Sequence, residues 1–284
     1  MTRRIRQKGR TSLKKSNIMN RMNCEQELEM LARGNHEEIM AYVAKYPLAR
    51  KAQEAFVKRG NHEEIMLFIK SNPVYDDAEL SLVQRGNHEE IMAYIVENFL
   101  LYRSEIALIK HGNHEEIMAY IAKYTLNSKA ELALVQRGNH EEVMAYVTKH
   151  LLSEGADLSL IQQGNHEEIM VYVSNNLLFS DAELALIKRG DHEEIMAYVS
   201  RHPLSGEPQE ALIARGNHEE IMAYIADGSF LSEAELALIK RGKHKEIMAY
   251  VSKYFLSDKA ENALMQRGNK KEISAYKKLQ TASL

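Results

Sequence analysis

The chain has 284 residues, is 45% hydrophobic, contains one cysteine and carries a formal net charge of -3. A single cysteine excludes an internal disulfide framework and favours a reducing compartment. Residues 1–23 hold eight Lys or Arg and no acid, which leaves 29 basic against 40 acidic residues, a charge of -11, in the remainder. This acidic remainder is a poor binder of nucleic acid, because such binding depends on neutralising phosphates.

Residues 1–23 form a basic N-terminal arm, whose polar composition predicts a flexible segment. The arm contains no apolar run long enough for a signal peptide or a membrane span. Three interpretations stay open: a tail that touches an acidic partner, an Arg-rich transit-like leader, or sequence upstream of a true start at Met22.

Residues 24–283 form a repeat array. Glycine recurs every 26 residues from Gly34 to Gly268 without insertion or deletion; four of the ten copies continue as Asn-His-Glu-Glu-Ile-Met-Ala-Tyr, and most of the others differ from it at one or two residues. A period of this length with helical signals predicts stacked supersecondary units. We number each of the ten repeats from 1 to 26 with the glycine at position 11, so that repeat 1 begins at Cys24 and repeat 5 at Ser128.

Each repeat is predicted to contain two helices. Helix A covers positions 2–10 and begins with a capping box, as in Ser128 with Glu131. Helix A has apolar residues on two faces, at positions 5 and 8 on one face and at positions 3, 6 and 7 on the other. We therefore expect neighbouring helices to enclose helix A on both sides. The glycine, as in Gly112 and Gly138, closes helix A in the left-handed conformation. Asn at position 12 then caps helix B, which covers positions 13–23.

The recurring His-Glu-Glu at positions 13–15, for example at His114 and His140, is the pattern that most resembles a metal-binding motif. A zinc helix of the His-Glu-x-x-His type needs a second histidine at position 17, where these copies have Met. Equivalent histidines in adjacent repeats lie about 10 Å apart, too far to share an ion. The pattern therefore predicts a structural ladder, with histidine on the buried side of helix B, bonded to the neighbouring repeat. Glu116 and Glu142 at position 15 complete a second capping box.

No nucleophile recurs beside a base, and no glycine-rich phosphate loop is present, so we expect no enzyme activity, cofactor or metal site. Repeat 10, residues 258–283, carries polar residues such as Asn262 and Lys270 at apolar or histidine positions, which indicates a C-terminal cap. Repeat 1 is the corresponding N-terminal cap. The predicted fold is all-α: an α-solenoid (superhelix) of ten 26-residue helix-turn-helix repeats.

The array resembles helical-repeat solenoids of the HEAT, tetratricopeptide and armadillo kind in architecture, without the tetratricopeptide signature residues. TAL-effector and pumilio-type solenoids read bases through variable residues in the inter-helix loop or the second helix. Those positions are nearly uniform among the copies here, which disfavours a modular base code.

Variation concentrates in positions 21–26, 1, 2 and 9. We therefore expect a protein- or peptide-binding scaffold that uses these positions, although drift of solvent-exposed links predicts the same variability. The predicted partner-binding residues are Lys123, Tyr124, Asn175, Asn176, Arg201, Asp227 and Lys253. The alternative is a nucleic-acid-binding repeat protein whose basic arm, residues 1–23, contacts phosphates. We expect no membrane partner and a cytoplasmic location.

Overall fold

A computed structural model describes residues 20–282, so most of the predicted basic arm, residues 1–19, lies outside the described residues. Within the described range the chain forms twenty α-helices and no strand, two helices to each repeat. This architecture confirms the all-α solenoid class. None of the described helices is long and apolar enough to cross a membrane.

The helices alternate between the two predicted types. Helices A are α1 (Cys24–Arg33), α3 (Arg50–Arg59), α5 (Asp76–Arg85), α7 (Tyr102–His111), α9 (Ser128–Arg137), α11 (Glu154–Gln163), α13 (Ser180–Arg189), α15 (Gly206–Arg215), α17 (Ser232–Arg241) and α19 (Asp258–Arg267). Helices B are α2 (His36–Val43), α4 (His62–Ser71), α6 (His88–Ile95), α8 (His114–Ile121), α10 (His140–Val147), α12 (His166–Val173), α14 (His192–Val199), α16 (His218–Asp227), α18 (His244–Val251) and α20 (Lys270–Ala282). Most helices B are shorter than predicted and end near position 20.

The chain divides into two compact units, Met1–Tyr94 and Ile95–Leu284. In the first unit α1 packs on α3 and α3 on α5, while α2 packs on α4. In the second unit each helix A from α7 to α19 packs on the next helix A, and each helix B from α8 to α20 packs on the next helix B. Each unit is thus built of two helical layers, in which equivalent helices lie side by side.

The core lies between the layers. Its residues come from positions 3, 7 and 8 of helix A, positions 16, 19 and 20 of helix B, and position 25 of the link; in repeat 5 they are Ala130, Leu134, Val135, Val143, Tyr146, Val147 and Leu152. Position 5 is only half-buried, as at Leu132 and Leu158. The prediction that helix A is enclosed on both sides is therefore wrong, because the outer surface of the A layer has no further layer against it in the described residues.

The predicted capping box of helix A is also wrong. Helix A begins one residue earlier than expected, so position 26 of the preceding repeat is its N-cap and position 1 is its first helical residue. In α9 the Asn127 side chain accepts from the N–H groups of Lys129 and Ala130, whereas Ser128 lies inside the helix. Glu131 at position 4 does not cap the helix, because its carboxylate accepts from the Tyr146 O–H instead.

The predicted cap of helix B is present. The Asn139 side chain accepts from the Glu142 N–H at 3.2 Å, and the same contact recurs at most copies. A complete capping box forms at Asn113 with Glu116 and at Asn165 with Glu168. The predicted capping box at Glu142 is wrong, because its carboxylate faces the arginine at position 10, with Oε2 3.1 Å from Arg137 Nε, and most other repeats share this contact.

The repeat glycines adopt two conformations. Gly138 has a φ of 69°, as the left-handed cap requires, and six other repeat glycines share this conformation. Gly112, Gly164 and Gly242 instead are extended, with φ -63° and ψ 158° at Gly112. A Cβ atom at Gly112 would lie 2.6 Å from the Leu108 carbonyl oxygen, so glycine is needed there to avoid a clash with the preceding helix turn. The left-handed prediction is thus confirmed for Gly138 and wrong for Gly112.

The two conformations predict different responses to substitution. Gly138→Val should cost about 1–2 kcal/mol, because a β-branched residue is strained at positive φ, while Gly138→Asn should cost less, because asparagine tolerates that conformation. At Gly112 asparagine should be no better than valine, since the obstacle is the carbonyl oxygen. Thermal melting of the four variants tests this difference. Equal melting temperatures for Gly138→Asn and Gly138→Val would contradict it.

Candidate functional site

The first turns of helices B form a ladder of ion pairs between consecutive repeats. His114 Nδ1 lies 3.0 Å from Glu142 Oε1 of the next repeat, and Glu142 Oε2 lies 3.1 Å from Arg137 Nε. The Glu142 side chain is fully buried, whereas His114 is 45% exposed. The predicted bond between neighbouring repeats is therefore confirmed. The histidine lies near the surface rather than on the buried side of helix B, because the carboxylate occupies the interior position.

The same contact recurs through both units. The Nδ1 to Oε1 distance is 2.7–3.1 Å in the pairs His36–Glu64, His62–Glu90, His140–Glu168, His166–Glu194, His192–Glu220, His218–Glu246 and His244–Glu272. A buried carboxylate is tolerated when charged donors satisfy it, and here each one has a histidine from the preceding repeat. The ladder thus fixes the register between adjacent helices B.

The second ring nitrogen faces an exposed glutamate at position 14 of the next repeat, as in His192 Nε2 and Glu219 Oε2, which lie 3.3 Å apart. The bond to the buried glutamate raises the pKa of His140, His166 and His192 above the usual 6.5, and the other carboxylates nearby raise it further. Because these pKa values are higher in the folded chain, the contribution of these three histidines to stability is complete below about pH 6.5 and is lost as the pH rises through the raised values.

A second buried network joins repeats through positions 4 and 19. The Tyr120 O–H donates to Glu105 Oε1 at 2.9 Å, and the Tyr120 oxygen accepts from the Leu100 N–H of the preceding repeat at 3.0 Å. Glu105 Oε2 accepts from the Asn127 N–H at the start of the next helix A at 2.8 Å. One tyrosine and one carboxylate therefore hold the links on both sides of the repeat.

Sequence reasoning missed this network, since it placed the position-4 acid, as at Glu131, in a capping box. The available signal was an acid or an amide at position 4 in every copy, including the copies without Ser or Asp at position 1. Gln209 preserves the pattern: its Nε2 donates to the Tyr224 oxygen at 2.9 Å, and its Oε1 accepts from the Leu231 N–H at 2.6 Å.

Repeat 6 departs from the network because Asp157, one methylene shorter than glutamate, stands at position 4. Its Oδ2 accepts from the Phe179 N–H at 2.8 Å. Its Oδ1 is buried and has no hydrogen-bond partner among the described residues, although Tyr172 stands at position 19 of the same repeat. Burial raises the pKa of Asp157 from 3.8 to about 7. Repeat 6 thus holds an incompletely satisfied buried carboxyl group.

Three basic residues that were predicted to contact a partner make structural contacts with the neighbouring repeat. Lys123, Arg201 and Lys253 all stand at position 22 and donate to main-chain carbonyls near the end of the preceding helix B. The Arg201 Nη1 to Ser174 oxygen distance, for example, is 2.9 Å. Cations stabilise a helix C-terminus by supplying donors to its last carbonyls.

The other four predicted residues also lie in the link segments. The Tyr124 ring packs on Tyr120, with centroids 5.0 Å apart. The side-chain amides of Asn175 and Asn176 each donate to the carbonyl four residues earlier. Asp227 is exposed at the end of α16. The seven residues therefore share one part of the repeat but form no single cluster, and their role in binding stays a prediction.

The large hydrophobic side chains that remain exposed among the described residues concentrate in the same links. They stand at positions 21, 24, 26 and 1, and in the unit Ile95–Leu284 they are Val96, Phe99, Tyr102, Leu151, Leu177, Phe179, Leu231 and Phe255, with exposed fractions of 47–66%. We call these eight residues the link edge. Every link joins the end of a helix B to the start of a helix A, and equivalent helices pack side by side, so the links follow one edge of the unit.

One group of described side chains has the spacing of a metal-ligand set. His166, Asp191 and Glu194 each place a ligand atom within 4.8 Å of the others. The sequence argument against metal sites considered pairs of histidines and so overlooked one histidine with two acids of the next repeat. The available signal was Asp191, which stands at position 12 where eight other copies have Asn.

Comparison of the chain with protein-family models, with curated proteins and with solved structures finds no match in any of the three.

Proposed function

We propose that the chain is a non-enzymatic protein- or peptide-binding scaffold and that the link edge is its contact surface. The supporting observation is the exposure of the eight apolar side chains of the link edge, three of them aromatic residues at least 48% exposed: Phe99, Tyr102 and Phe255. Contiguous exposed apolar groups on a folded protein are typical of interaction surfaces, in which aromatic side chains are enriched. Solenoids present extended surfaces of this kind.

The link edge varies between repeats while its geometry stays constant. Position 24 is Phe99, Leu151, Leu177 or Phe255 in four repeats, but Thr125 in another. The core positions beside it change little, so each repeat offers a different side chain at an equivalent place. This arrangement suits a partner of irregular sequence that contacts several repeats. The basic residues at position 22 would form a polar rim around the apolar contacts.

The experiment is affinity capture from extracts of the native host with two matched variants. The edge variant carries Phe99→Ser, Leu151→Ser and Leu177→Ser, which should leave stability nearly unchanged because these side chains are exposed. The control variant changes the exposed position-14 row through Glu115→Gln, Glu141→Gln and Glu167→Gln. We expect captured partners to be lost with the edge variant and kept with the control. Loss with the control alone would place binding on the glutamate row instead.

Nucleic-acid binding remains the alternative, and the supporting feature is the charge of residues 1–23, most of which lie outside the described residues. In the array the position-14 glutamates that face histidines are 70–76% exposed, a distribution that repels phosphates. We therefore expect residues 22–284 to give no gel shift with DNA or RNA at physiological salt, while the full chain binds weakly and loses binding as salt rises. Tight, salt-sensitive binding by residues 22–284 would overturn the scaffold proposal in favour of the alternative.

A further inference from the structure

We propose that His166, Asp191 and Glu194 form a binding site for a divalent transition-metal ion, with zinc as the best-suited ion. His166 Nδ1 lies 3.1 Å from Glu194 Oε1 and 3.9 Å from Asp191 Oδ1. A tetrahedral zinc ion with bonds of about 2.0–2.2 Å separates its ligand atoms by roughly 3.3–3.6 Å. Small rotations of the two exposed side chains therefore bring one nitrogen and two oxygens to zinc distance.

The site depends on the residue at position 12. In the preceding repeat junction Asn165 Nδ2 lies 3.0 Å from His140 Nδ1, and in the following one Asn217 Nδ2 lies 3.4 Å from His192 Nδ1. An amide nitrogen does not bind a cation and an amide oxygen is an uncharged, weaker ligand, so these junctions offer only one anionic ligand, a glutamate, beside the histidine. Asp191 replaces the amide with a carboxylate at the same place, which adds an anionic ligand. This junction thus has a second anionic ligand that its two neighbours lack.

The surroundings hold the ligands in a binding arrangement. His166 Nε2 lies 3.4 Å from Glu193 Oε2, so a carboxylate can accept the proton of the nitrogen that does not bind the metal. Glu194 Oε2 lies 3.1 Å from Arg189 Nε in a close ion pair, and Oε1 is directed to His166. Asp191 Oδ1 accepts from the Glu194 N–H at 3.0 Å. Three carboxylates against one guanidinium leave the site with negative charge before the ion binds.

Access and proton balance also suit an ion that comes from solution. The His166 and Asp191 side chains are 50% and 42% exposed, while Glu194 is 1% exposed and rigidly placed. Binding takes the neutral imidazole, so any proton on Nδ1 is released to solvent as the nitrogen–metal bond forms. The fourth coordination position is left for water. The bound ion would connect the first turns of α12 and α14 and so stabilise the junction of repeats 6 and 7.

The test is zinc titration by calorimetry at pH 7.5 with the full chain and two single variants. Asp191→Asn restores the residue found in eight other copies and so should keep the fold, yet it should weaken zinc binding at least tenfold. Asn217→Asp should create a second site, because His192 and Glu220 already lie 2.9 Å apart at that junction. We expect one zinc per chain in the unaltered protein and two in Asn217→Asp.

Melting curves give a readout that does not depend on heat of binding. Zinc should raise the melting temperature of the unaltered chain and leave that of Asp191→Asn unchanged. No zinc binding by the unaltered chain, or equal affinity in Asp191→Asn, would overturn the site. A single equivalent of zinc in Asn217→Asp would show that the three ligands named here do not define it.

Discussion

Replacement of Glu142 with leucine should lower the free energy of unfolding by about 2–4 kcal/mol, at the lower end of the range for a broken buried ion pair. The Glu142 carboxylate is fully buried between His114 and Arg137, which are 45% and 28% exposed. Leucine removes both contacts and leaves two cationic or polar groups facing an apolar side chain. Because the two partners can turn partly into water, the loss should be smaller than for a fully enclosed pair. Chemical denaturation, with hydrogen exchange in α8 and α10, measures it.

The neighbouring residue supplies the control. Glu141 also contacts His114, at 3.2 Å from Nε2, but its side chain is 76% exposed. Glu141→Gln should therefore change stability by no more than about 0.5 kcal/mol, as expected for an exposed pair. Equal losses in the two variants would mean that the buried carboxylate has no special role in joining the repeats.

Replacement of Asp157 with glutamate should raise the free energy of unfolding by about 1–3 kcal/mol at pH 8, the cost of an unsatisfied buried polar group. The longer side chain should reach the Tyr172 hydroxyl as Glu131 reaches Tyr146, where the oxygen atoms are 2.9 Å apart. The free Oδ1 of Asp157 would then gain a donor. The stabilisation expected of Asp157→Glu therefore comes from a new hydrogen bond in the tyrosine network.

The pH dependence identifies the cause. The pKa of Asp157 is raised from 3.8 to about 7, so folding favours the protonated carboxyl group. The stability that this shift contributes is complete below about pH 4 and is lost as the pH rises through 7, a total of about 4 kcal/mol. Asp157→Asn cannot ionise, so it should remove this slope without adding the tyrosine bond. Denaturation of the three proteins between pH 4 and 9 tests both effects. A slope that persists in Asp157→Asn would assign it to another group.

The features predicted well from sequence are those that a few neighbouring residues determine. The glycine period and the asparagine cap of Asn139 depend on contacts within a few residues, and their signals are local. The same is true of the left-handed glycine at Gly138, which only the nearest helix turn constrains. These signals sufficed for the fold class, for the end of helix A at position 10 and for the start of helix B at position 13.

The features that failed depend on contacts between residues far apart in the sequence. Ser128 and Glu131 satisfy the pattern of a capping box, yet Glu131 accepts from the buried Tyr146 O–H, 15 residues along the chain, and from the Ser153 N–H, 22 residues along. The exposure of apolar side chains in the links was not predicted, although the variable positions were recognised. Exposed apolar residues such as Leu151 gave no signal, since a leucine in a link reads as core until the packing is known.

The most direct test of the scaffold account is hydrogen exchange of the chain with and without its captured partner. We predict that protection on binding concentrates in the link segments 98–102, 150–153, 176–180 and 229–232, which carry most of the link edge. The first turns of helices B, which carry the position-14 glutamates, should change little. Protection confined to those first turns, with the link segments unchanged, would contradict the assignment of the link edge as the contact surface.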